Sequence, residues 1–299
     1  MGIDKMDSID RLDSPTPELF RTEYLAKGRP VVIRGAAARW RAAEWTPEYF
    51  KHTFPGIKLM YETWAGDEST NDPLEFVRKQ ARSTETVQSF VEMMEATERA
   101  SRKLYCAEWR VFEAIPQLRS DIESLEPYMG FLRALPSFVI RRLQLEPLLW
   151  MGPAGVISTL HFDRAHNFFI QLHGRKKWIL VAPEHSDDVY YPCADFPLSQ
   201  LHMSPVDAEN PDLVRFPRYR YANPVEIVLE PGDALFIPAG HWHYVRALDT
   251  SVSMNFFWLK PLQTAMRLRK HIYYSLRRRV LERLRIEHMG PEVRVRKSA

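Results

Sequence analysis

The sequence predicts a mainly β protein with flanking helices: a double-stranded β-helix, or jelly-roll barrel, with helical N-terminal additions and a C-terminal helix. Its 299 residues are 45% apolar, which suffices for a large core. From Leu148 onward, short apolar runs are separated by Pro, Gly and charged turns, a pattern typical of β-barrels and sandwiches. We predict about eight strands there, at 148–152, 156–162, 167–172, 177–182, 225–229, 234–238, 243–247 and 251–258.

The N-terminal part mixes helical periodicity with short strands. Apolar residues three and four positions apart indicate helices that bury one face, and Thr46 is a residue type that caps a helix start. In chain order we predict a helix over 15–27, a strand over 31–34, a helix from Thr46 through His52, a strand over 57–62, helix over 72–100, a strand containing Tyr105, and helical or irregular sequence to about 135.

A metal-binding hypothesis comes from His161 and Asp163, which are two residues apart. Alternate side chains of a strand point the same way, so an extended backbone would aim the imidazole and the carboxylate at one point. The third ligand is expected in residues 231–243, where a turn leads into an apolar strand, a second turn and then His243, with His241 as the competing candidate. Two His and one Asp form the ligand set of non-haem Fe(II) oxygenases.

The spacing of His161 and Asp163 is not specific by itself. Composition predicts about one His-x-acid pair by chance, and the chain has a second pair, His185 and Asp187. That second pair follows Pro183 in a polar run, which is typical of a loop or a helix start. His161 and Asp163 instead precede two apolar runs joined by a His-Gly turn, and this arrangement predicts a hairpin.

Several segments together resemble the JmjC-type (cupin-like) 2-oxoglutarate oxygenases, and most closely the asparaginyl-hydroxylase-like protein hydroxylases among them. The resemblance extends over roughly residues 15–260, including Gly28–Gly35 with Trp40 and Trp45 after it. Its motifs are His-Phe-Asp at 161–163, Asn-Phe-Phe-Ile-Gln at 167–171, Gly-Arg-Lys-Lys-Trp at 174–178, Pro-Gly-Asp-Ala-Leu-Phe-Ile-Pro at 231–238 and Asn-Phe-Phe-Trp at 255–258.

The resemblance implies a role for eight residues. His161, Asp163 and His243 correspond to the ligands of Fe(II); His243 is preferred to His241 because the family's histidine follows a Trp, as His243 does. The other five correspond to residues that hold 2-oxoglutarate or line the iron site: Lys176, Tyr105, Ser158, Asn167 and Asn255. For Lys176 the alternative is a solvated lysine at a hairpin turn, since Arg175 and Lys177 flank it.

The activity implied by the resemblance is hydroxylation of a side chain of a protein or peptide, with release of succinate and carbon dioxide. A small metabolite or a modified tRNA base could be the substrate instead, and a lysine demethylase would use the same iron core. A cupin-like binding protein without iron is disfavoured because all three ligands and Lys176 are retained.

We divide the chain into three parts. Residues 1–135 are expected to form helices and strands that pack on the barrel, 136–260 the JmjC (cupin) catalytic core, and 261–299 a basic C-terminal helix and tail. The connection from Glu184 to Tyr221 is long and Pro-rich, and long connections are often functional. We expect it over the mouth of the barrel or along its outside.

The ends and the cysteines predict a cytoplasmic protein. The N-terminus is charged and lacks signal-peptide character, and no apolar run approaches the length that spans a membrane. Two cysteines, Cys106 and Cys193, give no disulfide framework and suit a reducing compartment.

The C-terminal segment 262–288 has eight Lys or Arg against two Glu, a local net charge of +6. It also has an apolar stripe at helical spacing, which needs a surface to cover it. We predict a homodimer through this helix, because related hydroxylases often pair in this way. The alternatives are packing of the helix on its own barrel, contact with an RNA backbone, contact with an anionic membrane surface, and a merely solvated basic face. The stripe is Leu262, Met266, Ile272, Tyr273, Leu276, Val280 and Leu284.

Overall fold

The computed structural model describes residues 8–64, 73–74, 80–97, 103–129, 136, 138–139, 146–193, 195–196, 200–259, 266 and 268–283. Its strands are β1 (Asp10–Asp13), β2 (Val31–Arg34), β3 (Lys58–Trp64), β4 (Gln80–Thr86), β5 (Lys103–Trp109), β6 (Leu148–Gly152), β7 (Ile157–Phe162), β8 (His166–His173), β9 (Lys176–Val181), β10 (Val225–Leu229), β11 (Ala234–Ile237), β12 (Trp242–Ala247) and β13 (Ser251–Trp258).

The α-helices of the described residues flank these strands. Between β5 and β6 the described residues form short helices and 3₁₀ turns, as predicted for that region. The helices are α1 (Pro17–Leu19), which continues as a π-helical turn over Phe20–Leu25, α2 (Pro47–Thr53), α3 (Val87–Thr97), α4 (Val111–Ala114), α5 (Glu126–Met129) and α6 (Arg269–Arg283).

The strands form two sheets that enclose a common interior. A nine-stranded sheet has the order β1-β2-β11-β8-β13-β6-β5-β3-β4, and a four-stranded sheet has the order β10-β9-β12-β7. Side chains from the two sheets meet between them, for example Phe169 and Trp178, whose ring centroids lie 4.5 Å apart. All eight strands predicted after residue 148 are present within two residues of the expected bounds. The structure therefore confirms the jelly-roll prediction.

The N-terminal segment extends the larger sheet at both ends. Strand β2 pairs with β11 on one side, and β5 pairs with β6 on the other. The predicted helix start at Thr46 is confirmed: Oγ1 of Thr46 accepts a hydrogen bond from the amide of Tyr49 at 3.0 Å. The outer face of this sheet is covered by helical residues such as Phe20, which packs on Phe168 and Phe236.

The prediction of continuous helix over 72–100 is wrong in part. Residues 80–86 form strand β4, which pairs along its whole length with β3, and the helix begins only at Val87. Strand β4 is the edge of the sheet, and the side chains at 81–85 are exposed. An edge strand with two solvated faces has no apolar alternation, so periodicity gave no signal for it. Residues 75–79 and 98–100 lie outside the described part of the chain.

Helix α6 docks on the barrel beside the smaller sheet. It contacts the core through His271 and Tyr274, with Leu268 just before its first turn. The predicted apolar stripe is on another face, because Ile272, Tyr273, Leu276 and Val280 are all exposed. Leu262 and Leu284 lie outside the described residues. Within the described chain, none of the helices combines the length and the apolar character that a membrane span requires.

Candidate metal centre and its cavity

Three predicted ligands converge where β7 and β12 lie side by side. His161 is paired with His243 across the two strands, and Asp163 follows directly after β7. Candidate ligand atoms of His161, Asp163 and His243 all lie within 4.8 Å of one another. Nε2 of His243 is 3.6 Å from Oδ2 of Asp163. This is a spacing at which one metal ion could be bound by all three side chains.

Backbone carbonyls orient both imidazoles. Nδ1 of His161 lies 2.7 Å from the carbonyl oxygen of Thr159, and Nδ1 of His243 lies 3.0 Å from that of His241. A carbonyl only accepts hydrogen bonds, so each Nδ1 carries the proton and each Nε2 keeps its lone pair. Burial, followed by the nearby His161, lowers the pKa of His243 well below its usual value. A neutral imidazole is the form that binds a metal.

His241 has a different position from its neighbour two residues later. It is buried, and its carbonyl supports the ring of His243. Among the described residues, the cluster able to hold a metal includes His243 and not His241. The geometry therefore agrees with the preference for His243 over His241.

Asp163 is held by the turn before β12. Its carbonyl oxygen accepts a hydrogen bond from the amide of Gly240 at 2.9 Å. Gly240 has φ +84°, a left-handed conformation that glycine adopts without strain. Burial raises the pKa of the Asp163 carboxyl, while His161, His202 and the Asn167 amide oppose that rise. Asn167, which was predicted to hold 2-oxoglutarate or line the iron site, is almost fully buried.

Lys176 lies inside the barrel. It is only 1% exposed, which excludes the alternative of a solvated lysine at a turn. Its Nζ donates hydrogen bonds to Oγ of Ser253 at 2.9 Å and to the Tyr105 hydroxyl at 3.2 Å. Among the described residues no carboxylate pairs with this ammonium, and burial lowers the pKa of Lys176 to about 7. A buried ammonium of this kind fits an anionic ligand.

The other residues predicted to hold the co-substrate surround the same place. The side chain of Ser158 hydrogen-bonds to Tyr105. Asn255, on strand β13, is buried. Within the described chain, Oδ1 of Asn255, Oγ1 of Thr159 and Nε1 of Trp150 are buried without a hydrogen-bond partner. Because buried polar atoms rarely lack partners, these atoms fit a polar ligand next to Lys176.

A cavity of about 180 Å³ leads from the surface to part of this site. His161, Tyr105 and Ser158 all line it, whereas Asp163, Lys176 and His243 are not among its lining residues. The cavity is open to solvent at its mouth, so a side chain could enter it from outside. Its remaining lining includes Glu62, Arg82, Glu108, Thr159, Gln200, His202 and Met203.

Sequence reasoning singled out none of these seven residues, including the ionisable Glu62, Glu108 and His202. Glu108 has φ +56° and lies in an irregularity of β5 opposite β6. Such bulges next to active sites re-aim side chains. Glu108 is exposed at the cavity mouth; partial desolvation, then Glu62 and Asp163, raises the pKa of its carboxyl. Burial, then His161, lowers the pKa of His202 to about 3. No local spacing distinguishes these residues from ordinary surface residues.

The long connection between β9 and β10 occupies both of the positions considered for it, over the mouth of the barrel and along its outside. Gln200, His202 and Met203 form one wall of the cavity, while Phe216 and Tyr219 pack along the outside of the smaller sheet. His185 follows Pro183 in a 3₁₀ turn and pairs with Asp188. The second His-x-Asp pair is therefore in a loop, as predicted, and outside the cluster described above.

A jelly-roll barrel with an inward-facing His-Asp-His cluster and a buried lysine has the architecture of the cupin class. A family model described as a cupin-like domain matches residues 17–264, so the chain belongs to the cupin-like domain family. The chain is 33% identical over 258 residues to "Lysine-specific demethylase 8" of Xenopus tropicalis, covering 86% of this chain and 54% of the relative.

Two further relatives give a consistent result. The protein named "Lysine-specific demethylase 8" of Danio rerio is 31% identical over 258 residues, which covers 84% of this chain and 58% of that protein. "JmjC domain-containing protein D" of Dictyostelium discoideum is 27% identical over 270 residues, with 84% and 56% coverage. The chain spans about half the length of these curated relatives. The resemblance to JmjC-type proteins is confirmed, and the finer placement beside the asparaginyl hydroxylases stays a prediction.

Proposed function

We propose that this protein is an Fe(II)- and 2-oxoglutarate-dependent oxygenase that acts on a side chain of a protein or peptide. The observation that carries the proposal is one cavity lined by His161, of the His-Asp-His cluster, and by Tyr105, the hydrogen-bond partner of the buried Lys176. Cupin-like metal-binding proteins without catalysis need no buried ammonium there.

In the proposed site, His161, Asp163 and His243 hold the iron through two imidazole nitrogens and one carboxylate. A facial set of three ligands leaves coordination positions for the co-substrate and for oxygen. When bound, iron with 2-oxoglutarate and oxygen supplies the oxidising power to hydroxylate an unactivated carbon, with release of succinate and carbon dioxide. The carbonyls of Thr159 and His241 keep both Nε2 atoms aimed at the ion.

Lys176 binds the distal carboxylate of 2-oxoglutarate in this proposal. Its Nζ is already positioned by Ser253 and Tyr105, so little ordering is needed when the anion arrives. A carboxylate beside the ammonium would restore the charged form that burial disfavours. Ser158 orients the Tyr105 hydroxyl, and Asn255 offers an unpaired amide oxygen nearby.

The walls of the cavity orient the substrate and restrict water. A cavity of about 180 Å³ has room for one side chain of moderate size together with the co-substrate's outer end. Asn167, which is almost fully buried, opposes the rise in the pKa of Asp163 and so favours the charged carboxylate. His202, which is neutral because its pKa is lowered to about 3, can donate or accept a hydrogen bond to a substrate without bringing a charge.

A second candidate activity, demethylation of a methylated lysine, is favoured by two observations. Two of the relatives above carry the name lysine-specific demethylase. At the cavity mouth, desolvation, then the carboxylates of Glu62 and Asp163, raises the pKa of Glu108, so a positively charged substrate would favour its charged form. Hydroxylation of an N-methyl carbon leads to loss of formaldehyde, so the same site residues would serve either reaction.

The experiment that tests the proposal is consumption of 2-oxoglutarate with panels of candidate substrates. The panels are methyl-lysine peptides, matched unmethylated peptides, tRNA and small metabolites, and products are identified by mass. Peptide-dependent turnover with gain of one oxygen supports hydroxylation, and loss of a methyl group supports demethylation. Turnover only with tRNA or a metabolite would overturn the choice of a protein substrate, and Fe(II)-independent or absent 2-oxoglutarate turnover would overturn the oxygenase assignment.

A further inference from the structure

The side chains that alternate with the proposed ligands point away from the cavity and pack together. Phe162 lies between His161 and Asp163 in the chain, and Trp242 immediately precedes His243. Because successive side chains of a strand point to opposite faces, inward-facing ligands require these two rings to face outward. The rings meet edge-to-face at a centroid distance of 4.8 Å. Two strands that bring the ligands together are thus also joined on their outer face.

Two residues from distant parts of the chain complete this packing. Tyr191, in the long connection, lies 5.4 Å from both Phe162 and Trp242 by ring centroids. His271, on helix α6, lies 5.2 Å from Phe162. All four rings are at most 8% exposed. We call Phe162, Tyr191, Trp242 and His271 the outer aromatic cluster.

A buried hydrogen bond joins the two distant residues. The Tyr191 hydroxyl lies 3.0 Å from Nδ1 of His271. Desolvation raises the pKa of Tyr191, so the hydroxyl stays protonated and donates. Burial, then Arg164, lowers the pKa of His271 to about 4, so its ring is neutral; Nε2 lies 3.4 Å from Oγ of Ser275, to which it can donate, and this tautomer leaves Nδ1 to accept. The bond therefore ties the C-terminal helix to the long connection, against the back of Phe162.

The ladder between β7 and β12 does not by itself fix the position of His161. His243 and Val245 pair with His161 and Ser158, so β7 has one extra residue here, and such a bulge leaves ladder groups unpaired, whereas β12 pairs with β9 in register throughout. Side-chain packing must therefore provide the positional constraint that regular strand pairing does not provide at this ligand. The outer aromatic cluster packs on the residues that adjoin this irregularity.

A second contact from the same end of the chain reaches the proposed ligands. Leu268 packs so closely on Gly240 that a Cβ built on the glycine would lie 3.4 Å from Cδ2 of Leu268. The amide of Gly240 donates to the carbonyl oxygen of Asp163. The C-terminal segment thus supports the turn that holds Asp163 as well as the rings behind His161 and His243.

We propose that Tyr191 and His271 are positioning residues for the metal ligands, and that helix α6 is thereby a structural part of the metal centre. This inference rests on the proposed metal site. It assigns to the C-terminal helix a role that composition and charge do not indicate: its docking sets the relative position of β7 and β12. Outer groups that orient metal ligands commonly change metal affinity by roughly tenfold or more when removed.

The test uses Co(II) as the probe, bound to the full-length protein in the absence of 2-oxoglutarate. Tyr191→Phe removes only the hydroxyl, and His271→Phe removes both ring nitrogens while keeping an aromatic ring at this position. Tyr273→Phe is the matched control, since Tyr273 is exposed on the same helix. We expect Tyr191→Phe and His271→Phe each to weaken Co(II) binding roughly tenfold and to alter the visible absorption of bound Co(II), whereas Tyr273→Phe changes neither.

Three outcomes overturn the inference. Unchanged Co(II) affinity and absorption in Tyr191→Phe, whatever its melting temperature, would make the cluster ordinary packing. If His271→Phe does not fold, Tyr191→Phe decides alone. An equal loss in the Tyr273→Phe control would mean that the effect is not specific to the cluster. Wild-type protein that binds no Co(II) would overturn this inference together with the proposed function, whereas tight wild-type binding with unaffected variants overturns this inference alone.

Discussion

Nζ of Lys176 donates a hydrogen bond to Oγ of Ser253 at 2.9 Å in the interior of the barrel. An ammonium held there without a carboxylate among the described residues is costly unless a ligand compensates it. Ser253 was not singled out from the sequence, although it lies on β13 two residues before Asn255. If Lys176, held by Ser253, binds 2-oxoglutarate, then removing its ammonium should weaken that binding measurably.

We predict that Lys176→Ala weakens 2-oxoglutarate binding by about 2 to 5 kcal/mol, because the ligand's distal carboxylate would be left buried and unpaired. The measurement is the dissociation constant for 2-oxoglutarate in the Mn(II)-loaded protein. Lys177→Ala is the control: Lys177 is the next residue in the strand but pairs with Glu209 and Glu226. Equal affinities in wild type and Lys176→Ala would contradict the assignment.

A second prediction concerns protons. The pKa of Lys176 is lowered to about 7, so at pH 8.5 the amine is largely neutral in the free protein, and a bound carboxylate should restore the ammonium. Binding of 2-oxoglutarate at pH 8.5 is therefore expected to take up about one proton. Calorimetry in buffers of different ionisation enthalpy measures this number. An uptake that persists unchanged in Lys176→Met would show that another group is responsible.

The lowered pKa of Lys176 also determines how the free energy of unfolding depends on pH. An unfolded lysine keeps its ordinary pKa near 10.4, so between about pH 7 and pH 10 the unfolded chain binds more protons at this position than the folded chain. Lys176 therefore makes the free energy of unfolding rise with pH across that window. Comparison of wild type with Lys176→Met isolates this contribution.

A third prediction concerns the cavity mouth. If the substrate side chain is cationic, Glu108→Gln should raise the KM for a methyl-lysine peptide roughly tenfold or more, because a charged hydrogen bond is worth about 1.5 to 3 kcal/mol. The affinity for 2-oxoglutarate should change little. Glu113→Gln is the control, since Glu113 pairs with Arg110 on the surface. A KM that does not depend on Glu108 would favour an uncharged substrate.

Local sequence patterns predicted much of the barrel and of the candidate metal cluster. The ligand pair His161 and Asp163 follows from the alternation of side chains along a strand. The same alternation places Phe162, which lies between them, on the opposite face. Glu62, Glu108 and His202 could not be found in this way, because only the tertiary fold brings them to one cavity. Periodicity was least informative where both faces of a strand are solvated, as in β4.

The C-terminal helix illustrates a different limit. Its apolar stripe predicts the face to be covered, yet the helix packs on the barrel through His271 and Tyr274, together with Leu268 just before it. Hydrophobicity alone does not identify a docking face that uses a histidine paired with a tyrosine. The exposed stripe of Ile272, Tyr273, Leu276 and Val280 is left for another surface, and the homodimer stays our prediction for it.

A fourth prediction tests that dimer. Leu276→Asp with Val280→Asp should convert a dimer to a monomer at micromolar concentration, because two charges would be buried in the interface. These side chains are exposed in the single chain, so folding should be kept. Sedimentation measures the mass, and Arg279→Gln is the control on an exposed neighbour. A monomeric wild type would contradict the prediction, and salt-dependent RNA binding lost in Arg277→Gln with Arg279→Gln would favour a nucleic-acid arm.

Fe(II)-dependent decarboxylation of 2-oxoglutarate by single-residue variants tests the central claim most directly. We predict that His161→Ala and His243→Ala each abolish this turnover and the tight binding of metal while the melting temperature of the metal-free protein changes little. His241→Ala should be much milder, because the backbone carbonyl that supports His243 is kept. Full turnover in His243→Ala, or its loss in His241→Ala alone, would contradict the site that we propose.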